Sequence, residues 1–580
     1  MTQNQRNEFS ALSGRRSDVL IIGGGINGIA IMRDLALQGV SVTLVDKGDV
    51  MAGASAASSH MIHGGIRYLE NGEFRLVRES VQERNDLLRT APHVVKPLRT
   101  TIPIFSLTAG LLQAPLKMVR LGSGKKSERG ALLIGLGLAI YETFSRGNGA
   151  LERFSFVGRR RARQAFPSLR RGVKYVATYY DASVHEPERL ALDLVQDALA
   201  TGNARVATYV AAVGTADSGV ILEDHVSGQT LVTSADVVIN ASGPLTDLTN
   251  DALGEPTSFM GGTKGSHIVV DQPDLFAELA GRELFFENSD GRIVLIYPVK
   301  NRVLIGTTDI FADPREPAVC SEEEVDYFFE LVKHIMPGIH LDRSNIVFRF
   351  SGIRPLPRQD VDQPGLVSRD YRIVESRLPG NASVPLLSVV GGKWTTFRAL
   401  GEHVSSLVLD AMGRERRVST LGHPIGGGKD FPADEQARRD WVEAVRGNLP
   451  SQRVDVLLGR YGTRAREFVE ALVTYGDTPL ATLPSYSVQE ITHLVSSEFV
   501  VHLDDVLLRR TSLAFSGELS APRMAELAAI VGACLGWNAK RRDAEITRTR
   551  DILAARHGVT LSAGDAPRRR KRSPTTSLHI

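Results

Sequence analysis

Cysteine is almost absent from this sequence: Cys320 and Cys534 are the only two in 580 residues. So few thiols, so far apart, suit neither a disulfide framework nor a metal site, and a reducing compartment is the simplest reading. Charge of one sign is also scarce. A formal excess of +3 gives no case for nucleic-acid binding. No apolar run approaches the roughly 20 residues that a bilayer-spanning helix needs. The longest, "ALLIGLGLAIYETF" at Ala131–Phe144, reads as a buried helix. The opening "MTQNQRNEFSALSGRRS" has no apolar core of the secretory type, so no leader is expected and residues 1–17 read as a flexible N-terminus. Repeats of fixed period are absent as well.

What the chain has in quantity is ordinary globular composition and enough length for two or three domains. Near its start, "DVLIIGGGINGIAIMRDLALQG" places an apolar strand at Asp18–Ile22, then Gly23, Gly25 and Gly28 in a G-x-G-x-x-G turn, then a helix over Ile26–Gln38. A second strand, Ser41–Val45, is closed by Asp46. Strand, glycine turn, helix, strand and acid is the context of a dinucleotide site: the glycines let the backbone approach a pyrophosphate, the helix N-terminus offers N–H groups, and the acid accepts from a ribose. The turn alone does not separate NAD from FAD.

Later segments repeat one pattern, small residues or glycines followed by a cation. "ASAASSHMIHGGIRYLE" carries Ser58, Ser59, His63, Gly64, Gly65, Arg67 and Tyr68; "NASGP" carries Gly243; "FSGIRPL" carries Arg354; "VVGGKWTTFR" carries Gly392 and Lys393. Small residues allow a backbone to lie against a flat ring. Arg67, Arg354 and Lys393 suggest cations converging on an anion such as a phosphate, where arginine gives a bidentate fork and lysine a point charge. The middle of the chain is β-rich with turn residues between strands, suggesting a mixed or antiparallel sheet in a second domain. From about Asp434 the apolar spacing becomes helical. Leu107–Gly130 is apolar and then basic, and looks like an excursion; Arg568–Arg572 form a basic run near the end.

These motifs, with "KGSHIVV", "LIGTTD", "SRDY" and "HLDDVLLRRT", occur in an order that resembles the FAD-dependent, quinone-linked glycerol-3-phosphate dehydrogenase family over roughly residues 18–555. The resemblance implies an α/β plus α+β chain: a discontinuous glutathione-reductase-type FAD domain interleaved with a β-rich substrate domain over 18–429, a helical C-terminal domain over 430–558, and a basic tail over 559–580. It implies oxidation of sn-glycerol 3-phosphate to dihydroxyacetone phosphate, with electrons passed to a membrane quinone. Gly23, Gly25, Asn27, Gly28 and Asp46 would hold the ADP half of FAD, and Ser58, Ser59, Gly64, Gly65, Gly243 and Gly392 would lie along the rest. Arg67, Tyr68, Arg354 and Lys393 would line the substrate site, with Arg369 of "SRDY" a further candidate. His63 and His267 would stand nearest the chemistry, and the sequence does not choose between them. No metal is implied. The implied partners are a polyol phosphate, a quinone and the inner face of the cell membrane, touched peripherally by a cytoplasmic chain; a homodimer is left open. One departure from the family, His185–Arg189 in "YYDASVHEPERLAL", is expected to open a helix of the substrate domain and puts substrate identity in question. An oxygen-using oxidase, a dehydrogenase for an erythritol phosphate and a non-catalytic flavin-binding protein are the alternatives.

Overall fold

A computed structural model describes residues 9–10, 12–66, 73–107, 131–145, 151–288, 292–359 and 370–561. Arg67, Tyr68, Arg369, residues 108–130 and the Arg568–Arg572 run lie outside these.

The glycine unit forms as expected: β1 (Arg16–Ile22), α1 (Ile26–Leu37) and β2 (Val42–Asp46). β1 lies between β2 and the strand Thr230–Asn240, parallel to both, and Asn381–Val390 and Ala204–Thr208 extend the parallel set on either side. Arg372–Leu378 closes one edge as an antiparallel hairpin partner. Central parallel strands are covered on both faces, so their side chains are apolar in both directions. Val19 and Ile21 of β1 join a core with Ile29 and Leu35 of α1, while Leu20 and Ile22 face the opposite layer. That opposite layer includes Phe9 and Leu12, both buried, so the chain is anchored well before residue 18, against the expectation of a flexible 1–17.

A second, ten-stranded sheet runs mostly antiparallel, as expected, and includes Thr263–Val270, Arg302–Gly306, Ile293–Val299 and Val95–Ile104, with Ile346–Arg354 paired to the first of these. Strand alternation divides its side chains between two cores. Ile268 and Val270 pack with Phe328 and Leu331 of the helix Glu322–Ile335, whereas Val269, Phe348 and Phe350 pack with Leu503 and Val506 of the C-terminal helices.

Two expectations are corrected. The apolar helix α3 (Ala131–Ser145), which follows α2 (Phe74–Thr90) in the chain, is not buried: Leu138 and Tyr141 pack on Val77 and Val81 of α2, but Leu132 is 52% and Leu136 61% exposed. A helix apolar all round carries no polar stripe to mark its outer face. The segment His185–Arg189 does not lead a helix of the substrate domain. It opens α4 (Pro187–Ala200), whose Leu190 and Leu194 share the core of α1 in the nucleotide domain, and Arg189 pairs with Glu498 of the C-terminal helices.

The C-terminal helices are tied together by one buried acid. Glu490, with a fully buried side chain, accepts from Arg453, Arg460 and the Tyr461 hydroxyl, each at 2.7 Å. Glu490→Ala removes the partner of two arginines in a mostly dry site and should cost about 3 kcal/mol. Urea unfolding followed by circular dichroism checks this through a lower midpoint at unchanged slope.

Candidate active site

The glycine turn is built by exclusion of side chains. Gly23 has φ +117°, and a Cβ there would lie 2.6 Å from the Ala241 carbonyl oxygen; at Gly28 a Cβ would lie 1.9 Å from the Gly23 oxygen. Both contacts are with backbone, so neither can relax cheaply. Gly25 differs: among the described residues the sole atom near a Cβ there would be Ser55 Oγ at 3.1 Å. It is also the N-cap of α1 and supplies no side-chain cap; Ile26 N–H donates to Ser55 Oγ at 3.0 Å. Asn27 Oδ1 is buried with no hydrogen-bond partner among the described residues. Asp46 accepts from Gly24 N–H at 2.6 Å and Gly48 N–H at 2.8 Å, yet burial pushes its carboxyl up to about 6. A narrow glycine cradle, uncapped helix donors, an orphaned amide oxygen and an acid at the end of the second strand fit a dinucleotide such as FAD.

The "GGKWTT" turn closes on this cradle. Gly392, at φ +115°, lies so near Asn27 that a Cβ would come within 2.6 Å of Nδ2. Trp394 Nε1 donates to the Ser55 carbonyl at 3.0 Å, Thr395 Oγ1 to the His63 carbonyl at 3.2 Å, and Lys393 Nζ to Ser80 Oγ on α2 at 2.7 Å. One turn therefore touches the glycine loop, the serine-rich loop and the half-buried His63.

Behind His63 stands a buried polar network. Gly64 N–H donates to Asp181 Oδ1 at 3.0 Å, and the same oxygen accepts from Arg84 of α2 at 2.8 Å and from the Tyr141 hydroxyl of α3 at 2.6 Å. The Arg84 side chain is wholly buried. A Cβ on Gly64 would meet the Tyr141 hydroxyl at 2.1 Å, so glycine is required there for the network to form. Gly65, at φ +76°, continues the turn.

His267 and Arg354 form a neighbouring group on the second sheet. His267 Nε2 is 2.8 Å from Ser59 Oγ, its ring stacks on Phe350 with centroids 4.8 Å apart, and a Cβ at Gly306 would lie 2.1 Å from its Cδ2. Burial first, then the Arg354 charge, holds this imidazole well below its ordinary range. Arg354 is aimed by Asp309 and by the Thr307 hydroxyl, both at 2.9 Å. Gly352 lies against Ala57, joining this strand to the serine-rich loop. Ser58 Oγ accepts from His60 N–H at 3.2 Å, and Gly243, at φ +64°, opens the turn after Asn240. Sequence reasoning missed Ser55, Ser80, Asp181, Arg84 and Asp309. Ser55 and Asp181 lie in segments singled out for other residues, and no spacing rule distinguishes them.

Fold and cradle together define a dinucleotide-binding protein. A model of FAD dependent oxidoreductases matches residues 18–392, and a model of the C-terminal domain of alpha-glycerophosphate oxidase matches 418–542. The chain is 31% identical over 569 residues to a glycerol-3-phosphate dehydrogenase of Synechocystis sp., covering 94% of this chain and 98% of that one. It is also 31% identical to a D-erythritol 1-phosphate dehydrogenase of Brucella abortus, covering 85% and 94%. The solved glycerol-3-phosphate dehydrogenase of Bacillus halodurans, complexed with FAD, shares the fold with a TM-score of 0.72 at 20% identity, covering 95% of this chain and 97% of that one. The chain belongs to the FAD-dependent glycerol-3-phosphate dehydrogenase family. It is an oxidoreductase with FAD as cofactor.

The Asp46 carboxyl gives a pH dependence. Its pKa in the fold is raised, so its contribution to apoprotein stability is full below about pH 4 and is lost as pH rises through about 6. Ribose hydroxyls would donate to the ionised form, so a cofactor seated there would have to expel a proton below pH 6. FAD affinity should be level above pH 7 and about tenfold weaker at pH 5, as measured by quenching of flavin fluorescence on reconstitution. Asp46→Asn should remove the pH dependence.

Proposed function

We propose that the protein oxidises sn-glycerol 3-phosphate to dihydroxyacetone phosphate and delivers the electrons to a membrane quinone. The observation that carries this reading is the Lys393–Thr395 turn, which joins a cation to the His63 turn while its preceding glycine abuts the cofactor cradle. FAD, when bound, accepts the hydride leaving C2 of the substrate.

The chain's own residues supply the rest. Lys393 and Arg354 hold the phosphate, with Arg67, Tyr68 and Arg369 completing the substrate site. His63 takes the proton from the C2 hydroxyl. His63 is half-buried and so the more accessible of the two, whereas His267 is 2% exposed and stacked on Phe350 beside Gly306. We assign to His267 the positioning of the Ser58–Ser59 loop along the flavin.

The equal identity to an erythritol phosphate dehydrogenase favours a second reading, a longer polyol phosphate. The His185–Arg189 departure does not add to it, since Arg189 serves the contact with the C-terminal helices. A turnover panel of glycerol 3-phosphate, erythritol phosphates and sn-glycerol 1-phosphate, each with a quinone analogue and with oxygen alone, tests the proposal. Fastest turnover of glycerol 3-phosphate with the quinone is expected; preference for an erythritol phosphate, or for oxygen, replaces it. On the preferred substrate, Arg354→Met and Lys393→Met should each raise KM about ten- to a hundredfold, the loss of a charge-assisted hydrogen bond. His63→Gln should lower kcat by about 10²–10⁴, and His267→Gln far less.

Quinone is lipid-soluble, so its reductant must reach the bilayer. Among the described residues no helix is long and apolar enough to cross a membrane. Contact would be peripheral, through the exposed Leu132 and Leu136 of α3, the adjoining Leu107–Gly130 segment and the basic run Arg568–Arg572, an apolar and a basic signal combined. On this reading the chain sits on the cytoplasmic face of the cell membrane. The protein should sediment with anionic vesicles at low salt and be partly released at about 1 M salt, where the Debye length is about 3 Å. Leu136→Glu should weaken sedimentation while leaving turnover with a soluble dye unchanged.

A further inference from the structure

We propose that Arg509 and Arg510, in the C-terminal helical region, are positioning residues for the cofactor: through Asp49 they fix the loop after β2 and thereby close the adenosine end of the FAD groove. The inference rests on the placement of the adenine ribose at Asp46.

Asp49 is three residues beyond Asp46 and its side chain is wholly buried. Arg510 reaches it with a two-pronged contact, NH1 to Oδ2 at 2.7 Å and NH2 to Oδ1 at 2.8 Å, and Arg509 Nε donates to Oδ2 as well. Two consecutive residues of an α-helix diverge by about 100° and would not reach one carboxylate. Here they do because the helix widens: Thr511 N–H bonds the Val506 carbonyl five residues back, and Val506–Arg510 form one π turn. Such turns interrupt helices mainly where side chains must be re-aimed.

The loop that Asp49 anchors is tied at its other side to the cofactor cradle. Met51 N–H donates to the Gly24 carbonyl at 2.9 Å, and Gly24 and Gly48 both donate to Asp46. A second strut runs through Tyr209, whose N–H donates to the Gly48 carbonyl at 2.9 Å and whose hydroxyl donates to Asp505 at 2.6 Å. Asp505 in turn accepts from Arg509 at 2.6 Å. Met51 and Tyr209 both hold left-handed backbone, φ +62° and +60°. Neither is glycine, so each conformation costs energy and persists because its surroundings enforce it. At Tyr209 the backbone is held by the Gly48 carbonyl and the His225 N–H, and the hydroxyl by Asp505 of the C-terminal region, 296 residues away in sequence. Fixing the loop in advance lowers the ordering cost of binding, which is how a distant domain can set cofactor affinity without touching the cofactor.

The test measures FAD release from diluted holoprotein by the recovery of flavin fluorescence. Arg510→Met should release FAD at least tenfold faster, Arg510→Lys should be intermediate, and turnover and substrate KM at saturating FAD should stay within twofold of the parent. Arg453→Met, which weakens the C-terminal helices at the Glu490 cluster, should release FAD at the parental rate. Parental release from a folded Arg510→Met protein overturns the proposal, as does equal acceleration by Arg453→Met. Should Arg510→Met fail to fold, hydrogen exchange of the parent decides: amides of residues 498–511 should exchange at least tenfold faster after FAD removal, and unchanged exchange overturns it. Unchanged FAD affinity in Asp46→Ala would instead overturn the ribose placement, a separate failure.

Discussion

Backbone hydrogen bonding between parallel strands forces their carboxyl ends to one side of a sheet, and the cofactor cradle depends on that geometry. Ile22 is paired with Val45 on one side and Asn240 on the other, Asn240 with Ser388, and Asp46 with Thr208. Four loops, spread from residue 23 to residue 393, therefore leave the sheet at the same edge: the glycine turn, the acid and its loop, the turn after Asn240, and the Gly391–Lys393 turn. A slip of one residue between β1 and β2 would exchange the two faces of β2 and move Asp46 away from Gly24. The cores around Ile21 and Leu20 hold the register, so packing far from any ligand determines where the ligand-facing backbone stands.

The second constraint is the cost of burying polar groups. The turn bearing His63 has no side chain at Gly64 to hold it, and it is held instead by Asp181, which is satisfied by an arginine and a phenol in a dry interior. Such a network is stiff because every member has its partner; loss of one leaves a charge unpaired. The same logic applies to Lys393 and Arg354, each aimed by hydroxyls or an acid before a substrate arrives. Cations held in place beforehand spend less of their attraction on rearrangement when an anion binds.

The glycine turn, α1 and Asp46 were legible in the sequence because local spacing alone creates them: their partners are within a few tens of residues. The convergence of Gly392 on Asn27 was legible through family likeness, not spacing. What escaped was whatever depends on a partner remote in sequence. Nothing in "ALLIGLGLAIYETF" indicates that Leu132 and Leu136 face outward while Tyr141 faces Asp181, because an all-apolar helix has no internal contrast. His185–Arg189 was assigned to the wrong layer because the strand before it, Tyr175–Val184, does belong to the second sheet; the chain changes domain within two residues of the strand end. Phe9 and Leu12 looked like part of a loose terminus because two apolar residues among polar ones form no period.

The order in which the nucleotide sheet is written along the chain bears on its synthesis. β1 and β2 are complete by residue 46, yet the parallel neighbour on the far side of Thr230–Asn240 ends at residue 390. At about 5–20 residues per second, the ribosome needs roughly 20–70 s to pass from one to the other. For that interval a strand of the growing sheet has an unpaired edge and apolar faces without their cover. Long-range pairing of this kind is slow and exposes aggregation-prone surface. A nascent polypeptide of this design is thus a natural client for a holding chaperone, and recombinant yield should respond to translation speed more than to the stability of the finished enzyme.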